Sequence, residues 1–192
     1  MINTELQLSD ITVGEYIGWH SATNDIMKYQ AISGKSFEKA RDTPLEEINM
    51  EFDLFEKAMN GHGAVFKNRF TLNGTDFGLI PDFKRKLTGG AFADLMHFTK
   101  NENIKQDIAK VLCILYRPIS AVHGDTYDIE VYDSAKHLKN EEHMMKLTMD
   151  VVNGVLLFFS IIRKDLQNNS QTYLDQQMKL VTETITNLSS QQ

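Results

Sequence analysis

Residues 65–81 read Val65-Phe66-Lys67-Asn68-Arg69-Phe70-Thr71-Leu72-Asn73-Gly74-Thr75-Asp76-Phe77-Gly78-Leu79-Ile80-Pro81. Two runs rich in aromatic and branched side chains flank Asn73-Gly74, the dipeptide that most readily takes the positive backbone angles of a tight hairpin turn. Strands are therefore predicted over about Val65–Leu72 and Thr75–Ile80, closed by Pro81. Almost everything around this hairpin has helical character, so the fold class turns on it. The expected fold is mainly α (α+β), a multi-helix bundle carrying a small antiparallel hairpin or three-stranded sheet.

Upstream, Thr12-Val13-Gly14-Glu15 has the Thr-x-x-Glu form of a capping box, in which hydroxyl and carboxylate satisfy free amides at a helix start. A first helix is predicted from there to about Ala22, placing Tyr16, Ile17 and Trp19 on packing surfaces. A short second helix is predicted around Asp25–Ile32, before Ser33-Gly34. Thr43-Pro44-Leu45-Glu46 repeats the box, with proline at the first helical position, where its missing amide costs nothing. Leu45, Ile48, Phe52, Phe55 and Met59 then recur at spacings of three and four as one apolar face ending near Asn60-Gly61.

Downstream, helices are predicted over Thr88–Thr99 and about Asn103–Tyr116, the second stopping before Pro118. Thr126–Tyr132 alternates as a strand able to join the hairpin. A charged helical segment around His137–Lys146 leads to an apolar helix from about Met149 to Leu166. The run from Val151 to Ile162 is shorter than the roughly 20 residues a bilayer requires, and reads as a buried helix. After Gln167-Asn168-Asn169-Ser170, Leu174, Met178, Val181, Ile185 and Leu188 step by four, three, four and three, the seam of a helix packed against another helix. That seam fits docking on its own domain or on a neighbouring subunit. The expected organisation is one domain over residues 1–192: N-terminal helices (1–61), hairpin and helical core (62–166), and a C-terminal amphipathic helix (167–192) with a frayed end.

The 192 residues carry 20 Lys plus Arg against 26 Asp plus Glu, a net charge of −6, which argues against broad binding to nucleic acid or anionic membranes. Lys84-Arg85-Lys86 is a small basic patch and reads as solvated surface. Met1-Ile2-Asn3-Thr4-Glu5 lacks the basic start and apolar stretch of a secretory signal, so export by that route is not expected. The single cysteine, Cys113, lies in an apolar run and reads as core.

None of the six histidines has zinc-ligand spacing, and His123-Gly124-Asp125 reads as a polar turn. Gly61-His62-Gly63 and Gly89-Gly90 lack the phosphate-loop and dinucleotide forms. Cys113 would be a protonated, buried thiol. Glu46-Glu47 and Glu141-Glu142 suit helix starts better than a paired-carboxylate site. No enzyme activity, cofactor or metal is therefore expected. Arg117, flanked by Tyr116 and Pro118, is expected to hold free helix carbonyls or a neighbouring acid, and is also a candidate interface residue together with Leu174, Met178, Val181, Ile185 and Leu188.

One internal echo stands out. Ile11-Thr12-Val13-Gly14-Glu15-Tyr16 parallels Leu87-Thr88-Gly89-Gly90-Ala91-Phe92, as a duplicated helix start, through shared capping chemistry, or by chance.

Four segments, Phe77–Pro81, Leu87–Leu95, Ile114–Ile119 and Met149–Phe159, together resemble a protein of the head-to-tail region of crAss-like bacteriophages of Bacteroides and related podoviruses. The resemblance spans Phe77 to about Leu166, in the order hairpin, capped helix, second helix ending in Tyr-Arg-Pro, strand, apolar helix. It departs from the expected pattern at Ala91 and Phe92, where Glu and Tyr would stand; those occur instead at Glu15 and Tyr16. The resemblance implies a structural virion protein at the head–tail junction, assembled in the bacterial host cytoplasm. Its subunits would form a homo-oligomeric ring contacting the portal, a neighbouring ring or tail proteins, with DNA passing through without specific binding and no membrane involved. A tail-assembly chaperone is the alternative.

Overall fold

A computed structural model describes residues 5–100, 104–166 and 183. The chain is mainly helical with one four-stranded antiparallel sheet. Four helices come first: α1 (Val13–Ser21), α2 (Asp25–Ser33), α3 (Phe37–Arg41) and α4 (Leu45–Met59). The Thr12 box forms as expected: Thr12 Oγ1 accepts from the Glu15 N–H at 3.2 Å, and Glu15 Oε2 accepts from the Thr12 N–H at 2.7 Å. The second box does not form. Thr43 instead donates its hydroxyl to the Lys39 carbonyl in the preceding helix, at 2.7 Å, and α4 starts after Pro44 without a side-chain cap.

Strands β1 (Arg69–Leu72) and β2 (Thr75–Leu79) make the hairpin, with Asn73 at φ 51° and Gly74 at φ 77°. The first strand is shorter than predicted because the N–H of Val65 donates to the Asp150 carbonyl at 2.9 Å, docking residues 63–66 onto a distant helix rather than a strand. The short α5 (Phe83–Lys86), then α6 (Gly89–Lys100) and α7 (Ile104–Leu115), follow. Thr88 Oγ1 accepts from the Ala91 N–H at 3.3 Å, so both threonines of the internal echo cap a helix.

From α7 the chain enters β3 (Tyr116–His123) with no residue between, then β4 (Thr126–Ile129). Sequence reading ended a helix at Tyr116-Arg117-Pro118 and missed this strand. It pairs with β2, Phe77 opposite Pro118 and Gly78 opposite Arg117, giving the order β1-β2-β3-β4. The strand expected at residues 126–132 therefore joins the hairpin only through β3. Gly78 is required by close approach: a Cβ there would lie 2.3 Å from the ring of Tyr127, whose hydroxyl reaches across to the Leu79 carbonyl at 2.8 Å.

The charged segment is broken into α8 (Ser134–His137), a 3-10 turn (Leu138–Asn140) and α9 (Glu141–Met144), followed by α10 (Met149–Leu166). One buried cluster unites Leu8, Trp19, Phe55, Phe77, most of α7, and Val152, Val155 and Phe158 of α10. Helix α7 is its axis, buried at every position from Ile108 to Leu115 except Lys110. The N-terminal segment is stitched in by backbone bonds from Val13 to the Leu147 carbonyl and from Met149 to the Ile11 carbonyl, both 2.8 Å. Among the described residues, no helix is long and apolar enough to cross a membrane.

Candidate functional site

Of the six residues singled out from sequence, the structure describes Arg117. Leu174, Met178, Val181, Ile185 and Leu188 lie outside the described residues. Arg117 is not at a surface: it is 2 % exposed, in β3 rather than at a helix end. Nη1 donates to the Glu130 carbonyl at 2.9 Å and Nη2 to the Lys86 carbonyl, the last residue of α5, at 3.3 Å. It does hold a helix carbonyl, but that of another helix, and its burial removes it from any exposed interface of the subunit.

A polar cluster surrounds it. The Tyr132 ring lies 6.0 Å from the guanidinium carbon and stacks on His137, 5.6 Å between centroids and 21° between planes. The Tyr132 hydroxyl donates to Asp94 Oδ2 of α6 at 2.6 Å. His137 is fully buried, with Nε2 3.6 Å from Glu130 Oε2, which also meets Lys136 Nζ at 2.7 Å. Burial works against the charge of Arg117, drawing its pKa below the ordinary value, and pushes the Tyr132 hydroxyl up, with Asp94 adding to that rise. The cluster fastens the β3–β4 hairpin to α5, α6 and α8. Its arginine and histidine are closed off from solvent.

The other reactive types are placed just as firmly. Cys113 is 1 % exposed, and burial pushes its thiol up to about 12, so it is no nucleophile at neutral pH. Glu47 is taken up by Lys35 Nζ at 2.9 Å, beside the buried Tyr29. Gly124, at φ 61°, and Asp125 form the turn between β3 and β4, and His123, the last residue of β3, has its Nε2 3.3 Å from Asp128 Oδ2. Arg85 pairs with Asp82 and Lys86 with Asp128. Among the described residues no three His, Cys, Asp or Glu side chains converge as a metal site.

What remains open is a surface. Leu45, placed on the buried stripe by its spacing, is 70 % exposed, and Met50 is 52 % exposed. With Leu54 they line a hollow on α4 whose middle is taken by Glu46, Asp53 and Lys57. The inner face of α4 sets Phe52 and Phe55 against Trp19 of α1, at 4.9 Å between ring centroids in both pairs. That is the predicted stripe; Met50 and Leu54, four residues apart on the far side, lie outside it.

Comparison with known proteins adds no relative: no protein family matches the chain, and neither the curated proteins nor the solved structures show a significant match.

Proposed function

We propose that this chain is a structural virion protein, a ring or adaptor subunit of the phage portal–tail connector that continues the DNA channel between capsid and tail. The carrying observation is the ordered resemblance of Phe77–Pro81, Leu87–Leu95, Ile114–Ile119 and Met149–Phe159 to crAss-like phage head–tail proteins. Three structural features support it. The segments meet in one core: β2 pairs with β3, and Phe77, Leu95, Leu115 and Val152 share a cluster. Each segment does packing or capping work, as suits an assembly part. The candidate reactive groups are buried or paired, while Leu45 and Met50 of α4 stay exposed.

Charge fits the same reading. A net acidic subunit lining a channel repels phosphate and avoids the adhesion that counterion release drives when basic side chains meet DNA. Ring closure requires heterologous contacts, the front of one subunit on the back of the next. The seam Leu174–Leu188 is the proposed donor of that contact.

Quantitative mass spectrometry of purified virions, comparing this protein's copy number with that of the portal, tests the proposal. A fixed ratio close to equality is expected. Absence from mature particles, despite abundance during infection, would overturn it in favour of a tail-assembly chaperone that binds its client transiently.

A further inference from the structure

We infer that residues 25–51, comprising α2, α3 and the first half of α4, form a module that opens from α1 as one unit while the sheet and the main core stay folded. This is independent of the ring reading.

The module has a small core of its own. Over these residues three hydrophobic side chains are buried, Tyr29, Ala40 and Ile48, one from each helix. They form a cluster separate from the main core, with Ile26 and Phe52 at its edge. Helix α2 has nine residues and α3 five, too few to persist in water once undocked. Helix α4 divides between the two cores: Ile48 belongs to the small one, Phe55 and Ala58 to the large one. Its N-terminus has no side-chain cap, so the helix unwinds most readily from the module's end, up to Phe52, where the contact with Trp19 begins. Short helices with few buried apolar side chains stand at the low end of local stability.

The seam with the rest of the chain is tight at one place and unfilled at another. Helices α1 and α2 cross at Gly18 and Ala31, so closely that a Cβ on Gly18 would lie 2.6 Å from that of Ala31. Beside this crossing, Lys28 Nζ sits 5.1 Å from the centre of the Trp19 ring. Elsewhere a cleft of about 210 Å³ has Ile32 and Glu51 of the module in its lining together with Asp10, Ile11 and Glu15 of the N-terminal segment. Its lining has acids from both parts and no basic side chain among the described residues, so the cleft contributes neither close packing nor charge attraction. Within the module the Tyr29 hydroxyl accepts from Lys35 Nζ and faces the carboxylates of Glu47 and Glu51, at 3.3 and 3.2 Å. These contacts join α2, the loop after it and α4 to one another rather than to α1, which makes the module loosen as one piece. Opening uncovers the Trp19 ring on the side that Lys28 covers.

Amide hydrogen exchange of the full chain, read by mass spectrometry in native buffer, tests the module. Peptides from 25–51 are expected to exchange at least about tenfold faster than those of α7. Ile114→Val trims the main core and is expected to speed exchange in α7 about fivefold while leaving 25–51 unchanged, because Ile114 stays packed when the module opens. Gly18→Ala crowds Ala31 and is expected to speed 25–51 about tenfold. Adding Ala31→Gly moves the methyl group to the other helix and is expected to bring the rate back. Exchange of 25–51 in step with α7, equal acceleration of both by Ile114→Val, or no response to Gly18→Ala would overturn the inference; the first two would mean that the chain opens only as a whole.

Discussion

The guanidinium of Arg117 donates to the carbonyl of Glu130 at 2.9 Å, and that carbonyl lies opposite Pro118. Glu130 N–H donates to the Pro118 carbonyl at 3.0 Å. In an antiparallel pair of this type the two residues exchange both bonds, but proline has no N–H to return. The neighbouring arginine supplies the missing donor, which gives the Arg-Pro dipeptide a physical reason. Arg117→Met is therefore expected to destabilise the fold by about 2–4 kcal/mol, taking the donor from two carbonyls. Lysine, with a single ammonium, should recover less than half of this. Pro118→Ala restores a backbone donor, so in urea melts the double variant Arg117→Met/Pro118→Ala should lose about 1 kcal/mol less than the sum of the singles. Strict additivity would disprove the compensation.

Gly154 sits in the middle of α10 where helix propensity alone would favour alanine. A Cβ there would lie 2.4 Å from the Val65 carbonyl oxygen and 2.6 Å from its carbon. Neither atom can move freely, because the Val65 N–H bonds to the Asp150 carbonyl and Asn153 Nδ2 donates to the Gly63 carbonyl at 3.2 Å. Gly154→Ala should thus cost about 3 kcal/mol or more, against the roughly 1 kcal/mol gain expected in an unhindered helix. Thermal denaturation of the single variant checks the sign.

Local signals were legible in the sequence, and long-range ones were not. The Asn73-Gly74 turn, the Thr12 box and α10 were legible because turn angles, capping and apolar periodicity are local. Strand β3 was not: Tyr116 follows an unbroken apolar helix, and the partners that make residues 116–118 a strand lie at Phe77–Leu79, brought near only by the fold. Pro118 reads as a helix stop from either conformation. Arg117 read as a cation at a helix end, holding free carbonyls there or a neighbouring acid; the carbonyls it meets, one from Lys86 and one from Glu130, are brought near only by the fold. Leu45 fell on the right spacing for burial, yet α4 turns that edge outward; only packing against Trp19 chooses which stripe is covered.

Lys35 Nζ bonds both Glu47, at 2.9 Å, and the hydroxyl of buried Tyr29. The Lys35 hydrogen bond and charge hold the Glu47 carboxyl below its ordinary range. A carboxylate depressed in the folded state contributes stability that is present above its unfolded pKa and lost as pH falls through the lower folded value. Glu47→Gln should therefore lower the melting temperature at about pH 7. The gap to wild type should close as the acid range is entered, towards about pH 3. A gap that persists unchanged in acid would show that shape, not charge, holds Tyr29 and Lys35 together.

Cys113 gives a probe of opening. With its thiol buried in α7 and pushed up to about 12 by desolvation first and the charge of Glu141 second, it should not react with a disulfide reagent in the native state at neutral pH. Labelling should follow global unfolding across a urea series, because α7 is the axis of the core. Rapid labelling in native buffer would mean that α7 opens locally.

The last prediction separates folding from assembly. Met178→Asp with Ile185→Asp places two charges in the C-terminal seam, where contact with another apolar surface would have to desolvate them at a cost of several kcal/mol. If the seam serves a neighbour, the variant should stay folded, with an unchanged far-ultraviolet spectrum and cooperative melting, while light scattering reports monomers. If the seam instead packs on its own domain, the variant should melt earlier or fail to fold, because the charges would then break the subunit's own packing. The two outcomes differ in which measurement changes. On the ring reading the folded monomer is the expected result.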